Sequence, residues 1–325
     1  MSLKKINEII NLIRKNNKFL ITSHVSPDGD NLGSVTALKL ALEQMGKKAV
    51  IIIDDTLPSS FSFLLDIDKI ISYESDMEVD FDLCFILDCS DFKRIARVEE
   101  LLADKTIINI DHHGDNPSFG DYNLLGDVAA TAELVYQLIS EIEEIKMDKE
   151  IATAIATGLI TDTGSFRYSN TTAQTHQIMA DLLTYNVNTA KICKEVFDTY
   201  SYASLKLKGK VLENLKVDDS GKVAWIEVSQ DLLKDTGSTL EDADGLVDYP
   251  RSLAGVEIGV LFKEVEDGTV RVSLRSNYYF SVDKIAHQFG GGGHAKAAGC
   301  TINDTLIKAE DAVISTIKKE LSQVN

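Results

Sequence analysis

The chain has 325 residues, 44% of them hydrophobic and 26% charged, an ordinary globular composition with room for two domains. Its 33 Lys and Arg against 51 Asp and Glu leave a net charge of −18, which argues against long duplex nucleic acid, whose phosphates need a basic face. A small phosphorylated substrate stays compatible, because bound divalent cations reverse the local field.

In chain order, Ile6, Ile9, Ile10 and Ile13 recur at a helical period. Residues 18–22 form a short apolar strand that runs into Ser23-His24-Val25-Ser26-Pro27-Asp28-Gly29-Asp30-Asn31. A helix follows, with Val35, Leu38, Leu42 and Met45 on one face and Gly46 just past its end. Strands are expected at 49–53, ending in Asp54-Asp55, at 83–87, ending in Asp88, and at 106–110, ending in Asp111-His112-His113. Residues 129–145 read as a helix with Leu134, Val135, Leu138 and Ile142 at core spacing. Residues 151–160, rich in Ala and Thr, read as a buried helix running into Thr161-Asp162. Residues 189–215 read as helical. Beyond them, 223–228, 255–262 and 269–274 look like strands, 281–289 like a helix, and 306–321 like a closing amphipathic helix. Four consecutive glycines at 290–293 precede His294 and Lys296.

Apolar runs separated by helices, rather than alternating strands, predict an α/β fold. We expect an N-terminal parallel Rossmann-like sheet with helices on both faces, a helical connector, and a smaller C-terminal α/β domain with a mixed sheet. With four prolines and no Ser/Gly tether, the boundary falls inside the helical stretch, giving domains at 1–188 and 216–325 joined by 189–215. The cysteines Cys84, Cys89, Cys193 and Cys300 form no Cys-x-x-Cys pair, and a chain this long needs no disulfide staples. The first residues lead into no apolar signal core, and no apolar run approaches the ~18 residues of a membrane span. A cytoplasmic protein with no membrane contact is the expectation.

Ligands of open α/β sheets bind outside the carboxyl ends of the strands. Three strands here end in His24 with Asp28 and Asp30, in Asp88, and in Asp111-His112-His113, and Asp162 closes a buried helix. Each has a plainer reading: a polar turn for 111–113, a helix cap for Asp30 or Asn31, a turn or cap for Asp162. Pooled, His24, Asp28, Asp30, Asp88, His112 and Asp162 are more ligands than one open site needs. They suit two metals ~3.5–4 Å apart that share a carboxylate and a water. Asp88 is the natural bridge if its strand lies between those bearing His24 and Asp111. Without thiolates the set fits Mn²⁺ or Mg²⁺, and its imidazoles favour Mn²⁺. A calcium-loop reading of Asp28 to Asn31 fails on Leu32 and Lys39, where that motif wants oxygen ligands. The glycine run with His294, Lys296 and upstream Arg275 suggests a phosphate cradle, against the alternatives of a flexible loop and a surface arginine.

The ordered set His24-x-x-x-Asp28-x-Asp30, Asp88, Asp111-His112-His113 and Asp162 resembles the DHH phosphoesterase superfamily. The stretch 290–299 resembles the signature of its type 1 DHH-associated C-terminal domain, and the two-domain size is similar to the nano-RNase/pAp phosphatase (NrnA-type) branch. That resemblance implies two-metal hydrolysis of short single-stranded RNA or DNA oligonucleotides and of 3′-phosphoadenosine 5′-phosphate (pAp). One metal would take His24, Asp28 and Asp88, the other Asp30, Asp88, His112 and Asp162. His113 would meet the scissile phosphate or leaving group, and Asp111 would orient the histidines. Arg275, the loop glycines Gly291, Gly292 and Gly293, and His294 would hold the nucleotide end, with Arg94 and Arg167 as further substrate contacts. Thr131 and Glu133 match a segment of the branch. Asn31 stands where many members carry a small residue, and Ala96 where many carry glycine. The same metals would also serve a cyclic-dinucleotide or linear dinucleotide phosphodiesterase, or an exopolyphosphatase. A non-catalytic nucleotide sensor is a further class, which intact ligands disfavour. Apolar positions on the helices would permit a homodimer.

Overall fold

The computed structural model describes residues 3–265 and 268–323, His294 by its backbone alone. The chain divides into two compact units, Met1–Thr199 and Tyr200–Asn325.

The first unit opens with α1 (Leu3–Lys15), which buries Ile6, Ile9, Ile10 and Ile13 and places Arg14 and Lys15 at its negative end. Six strands follow: β1 (Lys18–Ser23), β2 (Lys48–Ile53), β3 (Ile71–Ser72), β4 (Leu83–Leu87), β5 (Thr106–Asp111) and β6 (Tyr122–Leu125). They form one sheet in the order β3-β2-β1-β4-β5-β6, and every neighbouring pair is parallel. Strand order reverses between β1 and β4, so a crevice opens beyond their carboxyl ends. Strand β4 lies between β1 and β5, which is the condition for Asp88 to bridge.

One face of the sheet packs Phe19, Ile21, Phe85 and Ile108 against helices α1, α2 (Gly29–Gln44), α3 (Thr131–Ser140) and α4 (Lys149–Asp162). The other packs Leu20, Cys84 and Ile86 under the 3-10 helical stretch Phe92–Leu101, through Ile95 and Val98. Helix α2 is buried nearly all round and packs on α4. Gly158 of α4 makes room for it: a Cβ there would lie 2.7 Å from Asp30 Oδ1.

Helix α3 is shorter than the expected 129–145. Ala130 is extended, and the helix stops at Ser140, where Glu141, Glu143 and Glu144 meet its negative end. The edge strands β3 and β6 and helix α5 (Ala173–Leu183) carried no clear apolar period and were not expected. The stretch 189–215 is two helices, α6 (Thr189–Phe197) and α7 (Tyr202–Glu213), because Ser201 Oγ accepts from Ser204 N and starts a new helix.

The second unit contains β7 (Lys216–Val217), β8 (Val223–Val228), α8 (Gln230–Thr236), α9 (Asp248–Ser252), β9 (Ile258–Glu264), β10 (Val270–Ser276), α10 (Asp283–Gln288), β11 (Gly292–His294), β12 (Ala297–Ile302) and α11 (Leu306–Leu321). Its sheet runs β11-β12-β10-β9-β8-β7, mixed because only β8 and β9 are parallel. The glycine run is not a loose loop. Gly292 pairs with Gly299 and Gly293 with Ala298 in a hairpin. Gly293 has φ +137°, and a Cβ there would lie 2.6 Å from Ala297 O, so the hairpin itself demands glycine.

Candidate metal centre

The carboxyl ends of β1, β4 and β5 and the end of α4 converge on one group of acids and imidazoles. Three sets of donor atoms lie within 4.8 Å of one another: His24, Asp28 and Asp88; Asp30, His112 and Asp162; and Asp88, His112 and His113. Asp88 faces two ways. Its Oδ2 is 3.4 Å from His24 Nε2, and its Oδ1 is 3.6 Å from His112 Nε2. His112 Nε2 also lies 3.7 Å from Asp162 Oδ2 and 4.0 Å from Asp30 Oδ2.

Local structure explains each position. Asp28 is the N-cap of α2, accepting from the backbone N–H of Asp30 and Asn31 at 3.1 and 3.0 Å. Asp30 is buried and serves the first turn of α3, accepting from Thr131 N at 2.6 Å and Ala132 N at 2.9 Å. The cap of α2 is thus Asp28 and neither Asp30 nor Asn31, while Asp30 serves a helix 101 residues away. Asn31 donates to His24 O at 3.1 Å and ties the loop shut. Asp88 takes φ +52°, an uncommon conformation for a non-glycine residue that persists where surroundings over-determine it. Thr131 Oγ1 donates to Asp88 Oδ1 at 3.0 Å.

The donor chemistry fits divalent metal. His24 Nδ1 is 2.7 Å from Val25 O and His112 Nδ1 is 3.3 Å from Val128 O, so each ring donates from Nδ1 and presents Nε2 to the carboxylates. That backbone tether is the usual support of a metal-binding imidazole. Among the described residues, the ion-pair partners of Asp30, Asp88 and Asp162 are imidazoles, not Lys or Arg. Burial and the neighbouring charges of Asp88 and Asp162 push Asp30 well above the usual carboxylate range. Burial, with repulsion from Asp88 and Asp28, holds Asp162 at about 6 although His112 opposes it. Burial would raise Asp88 too, but the His24 hydrogen bond and the charges of His112 and His113 outweigh it and hold it at about 2. Carboxylates crowded in this way are relieved by a cation.

His113 stands beside this group. Its Nδ1 lies 2.7 Å from Asp111 Oδ1 and 3.7 Å from Asp88 Oδ1. Burial favours its neutral ring, but the Asp111 hydrogen bond and the Asp88 charge prevail and raise it to about 9. Fully buried Asp111 is held in turn by Asn116 Nδ2 at 2.6 Å. Asn170 Nδ2 donates to Asp162 O at 3.1 Å and to Ala129 O at 3.0 Å. Asn116 and Asn170 were not anticipated: single asparagines in irregular segments carry no periodic signal. Glu133 is buried and accepts from Thr175 Oγ1 at 3.3 Å.

Among the expected substrate residues, Arg94 lies close enough for its charge to oppose protonation of His113. Its carbonyl accepts from Val25 N at 2.8 Å, beside His24. Arg167 is exposed and donates from Nε to Gly164 O at 2.6 Å. It follows Gly164, Ser165 and Phe166, all with positive φ. Arg275, Gly291, Gly292 and Gly293 belong to the second unit, and the His294 side chain lies outside the described residues. Arg275 pairs across the strands with Ala297, which pairs with His294.

The DHH family, N-terminal domain, matches residues 18–159, and the DHHA1 domain matches residues 221–323. The chain is 35% identical over 306 residues to the bifunctional oligoribonuclease and PAP phosphatase NrnA of Thermus thermophilus, covering 93% of this chain and 90% of that protein. It is 29% identical over 303 residues to the probable bifunctional oligoribonuclease and PAP phosphatase NrnA of Streptococcus mutans, covering 93% and 95%. The crystal structure of an exopolyphosphatase-related protein from Bacteroides fragilis matches with a TM-score of 0.92 at 28% identity, covering 99% of this chain and 98% of that one.

Proposed function

Because this chain belongs to the DHH phosphoesterase family, we propose that it hydrolyses short oligoribonucleotides to mononucleotides and pAp to AMP. The observation that carries this reading is the two-faced Asp88, flanked by one donor set with His24 and Asp28 and another with Asp30, His112 and Asp162. Two divalent ions, Mn²⁺ ahead of Mg²⁺ given the imidazoles, would be held there and would supply a water acidified to near-neutral pKa.

The chain's own residues position the rest. Asp111 fixes the plane of His113 through Nδ1, and we assign this ring to the scissile phosphate or leaving group, where a protonated imidazole offsets developing negative charge. Thr131 and the backbone tethers of His24 and His112 keep the donors from turning away. Arg94 and Arg167 are assigned to further phosphates, and Arg275 with the glycine hairpin and His294 to the nucleotide end. A cytoplasmic location is part of this reading, supported by four free cysteines. No helix among the described residues is long and apolar enough to cross a membrane.

The test is hydrolysis of an RNA dinucleotide, a pentanucleotide, a long single strand and pAp, each with Mn²⁺ and with chelator. Rapid Mn²⁺-dependent cleavage of the short RNAs and pAp is expected. The likeness to an exopolyphosphatase-related protein supports a second reading, polyphosphate hydrolysis at the same centre. Release of phosphate from polyphosphate, with short RNA and pAp untouched, would replace the first reading by the second.

A further inference from the structure

The loop that follows β10 in the second unit is held with unusual care for a surface segment. Glu257, 1% exposed, accepts the backbone N–H groups of Tyr278, Tyr279 and Phe280 at 3.2, 2.9 and 2.8 Å. Asn277 Nδ2 donates to Arg251 O at 2.9 Å and Val256 O at 2.8 Å. Ser276 Oγ donates to Phe280 O at 2.7 Å, and Lys296 Nζ to Tyr278 O at 2.6 Å. Phe280 anchors the far side in the core. A buried carboxylate is costly to desolvate, and here its hydrogen bonds all go to fixing this backbone. What the fixed backbone presents is a pair of adjacent rings in solvent, Tyr278 at 79% and Tyr279 at 52% exposure.

The surroundings indicate what such rings would meet. The loop springs from the strand end that carries Arg275, and it lies against the hairpin turn: Ser276 N donates to Lys296 O, and Val282 N to Ala295 O. A cation, a glycine hairpin and two exposed aromatic rings on a rigid support are the parts of a nucleotide site, since bases stack on tyrosine without regard to sequence. Tyrosine offers this area at low cost in side-chain entropy.

We propose that Tyr278 and Tyr279 form a stacking platform for a nucleobase of the short oligonucleotide substrate, held rigid by Glu257. This rests on the function proposed above and adds to it a base contact that sets preference for nucleotides over other phosphoesters.

The experiment uses the Mn²⁺-loaded protein and its Y278A/Y279A and Y278F/Y279F variants. Two quantities are read: KM and kcat on an adenosine trinucleotide and on the same phosphodiester backbone without bases, and calorimetric binding of a phosphorothioate-linked adenosine trinucleotide. The expected result is a roughly 5- to 100-fold rise in KM and weakening of binding for the alanine pair, with kcat little changed. The phenylalanine pair should behave like the parent, and the base-free backbone should not distinguish the three proteins. Unchanged KM and binding in the alanine pair would overturn the platform, as would an equal loss on the base-free backbone. So would a change confined to self-association, seen by sedimentation. Failure of the parent protein to cleave the trinucleotide at all would instead overturn the proposed function, while weaker calorimetric binding by the alanine pair would still support the platform.

Discussion

At the scale of single residues, the proposed chemistry turns on Asp88. One carboxylate faces His24 with one oxygen and His112 with the other, and its φ of +52° is what lets a strand-end side chain reach both. Asp88→Asn keeps the shape and removes the charge that both donor sets share. It should lower the metal retained after gel filtration and reduce turnover by at least about a thousandfold, the equivalent of several kcal/mol of lost charge stabilisation. Circular dichroism should stay that of the parent, because the residue sits at the crevice and not between the core layers. Full turnover in this variant would remove the two-metal reading. The histidines depend on less conspicuous groups: His113 on Asp111, and Asp111 on Asn116.

At the scale of elements, the 3-10 stretch Phe92–Leu101 holds one residue in a strained conformation. Ala96 has φ +49° and ψ −132°, a region hostile to any residue with a Cβ. The family resemblance implies glycine at this position, and the backbone supplies a reason for it. Ala96→Gly removes the clash, at the cost of a more flexible unfolded chain. A net gain of about 0.5–2 kcal/mol is expected, read as a higher urea midpoint at unchanged slope; a lower midpoint would mean that the segment is not strained. The element scale also shows what the sequence could and could not convey. Buried parallel strands announced themselves as apolar runs, and their acidic and histidine ends followed from the rule for ligand sites in open sheets. Edge strands β3 and β6 are short and half exposed, so they lack that signal. The glycine run looked like a loop because strand pairing between glycines leaves no side-chain periodicity. Asp30 as cap of α3 was illegible for a different reason: the contact spans 101 residues.

For the whole molecule, the two units have separate hydrophobic cores: one on both faces of the parallel sheet, the other on both faces of the mixed sheet, against α10 and α11 on one side and α7 and α8 on the other. The candidate metal donors among the described residues all belong to the first unit, so an ion bound there would stabilise that unit directly. A ligand that binds only the folded form adds about 2.7 kcal/mol at a concentration a hundred times its Kd. Each kcal/mol shifts Tm by about 2–4 °C in a domain of 150–250 residues, so an upward shift of about 5–10 °C is expected for the first unit. Scanning calorimetry of the full chain with and without Mn²⁺ should therefore show one endotherm that moves with metal and one that stays, because the second unit contributes no donor cluster among the described residues. Chelator should reverse the shift, and Asp88→Asn should shrink it. Two endotherms moving together would mean that the units unfold as one cooperative block, and no movement of either would mean that the crowded carboxylates hold no ion.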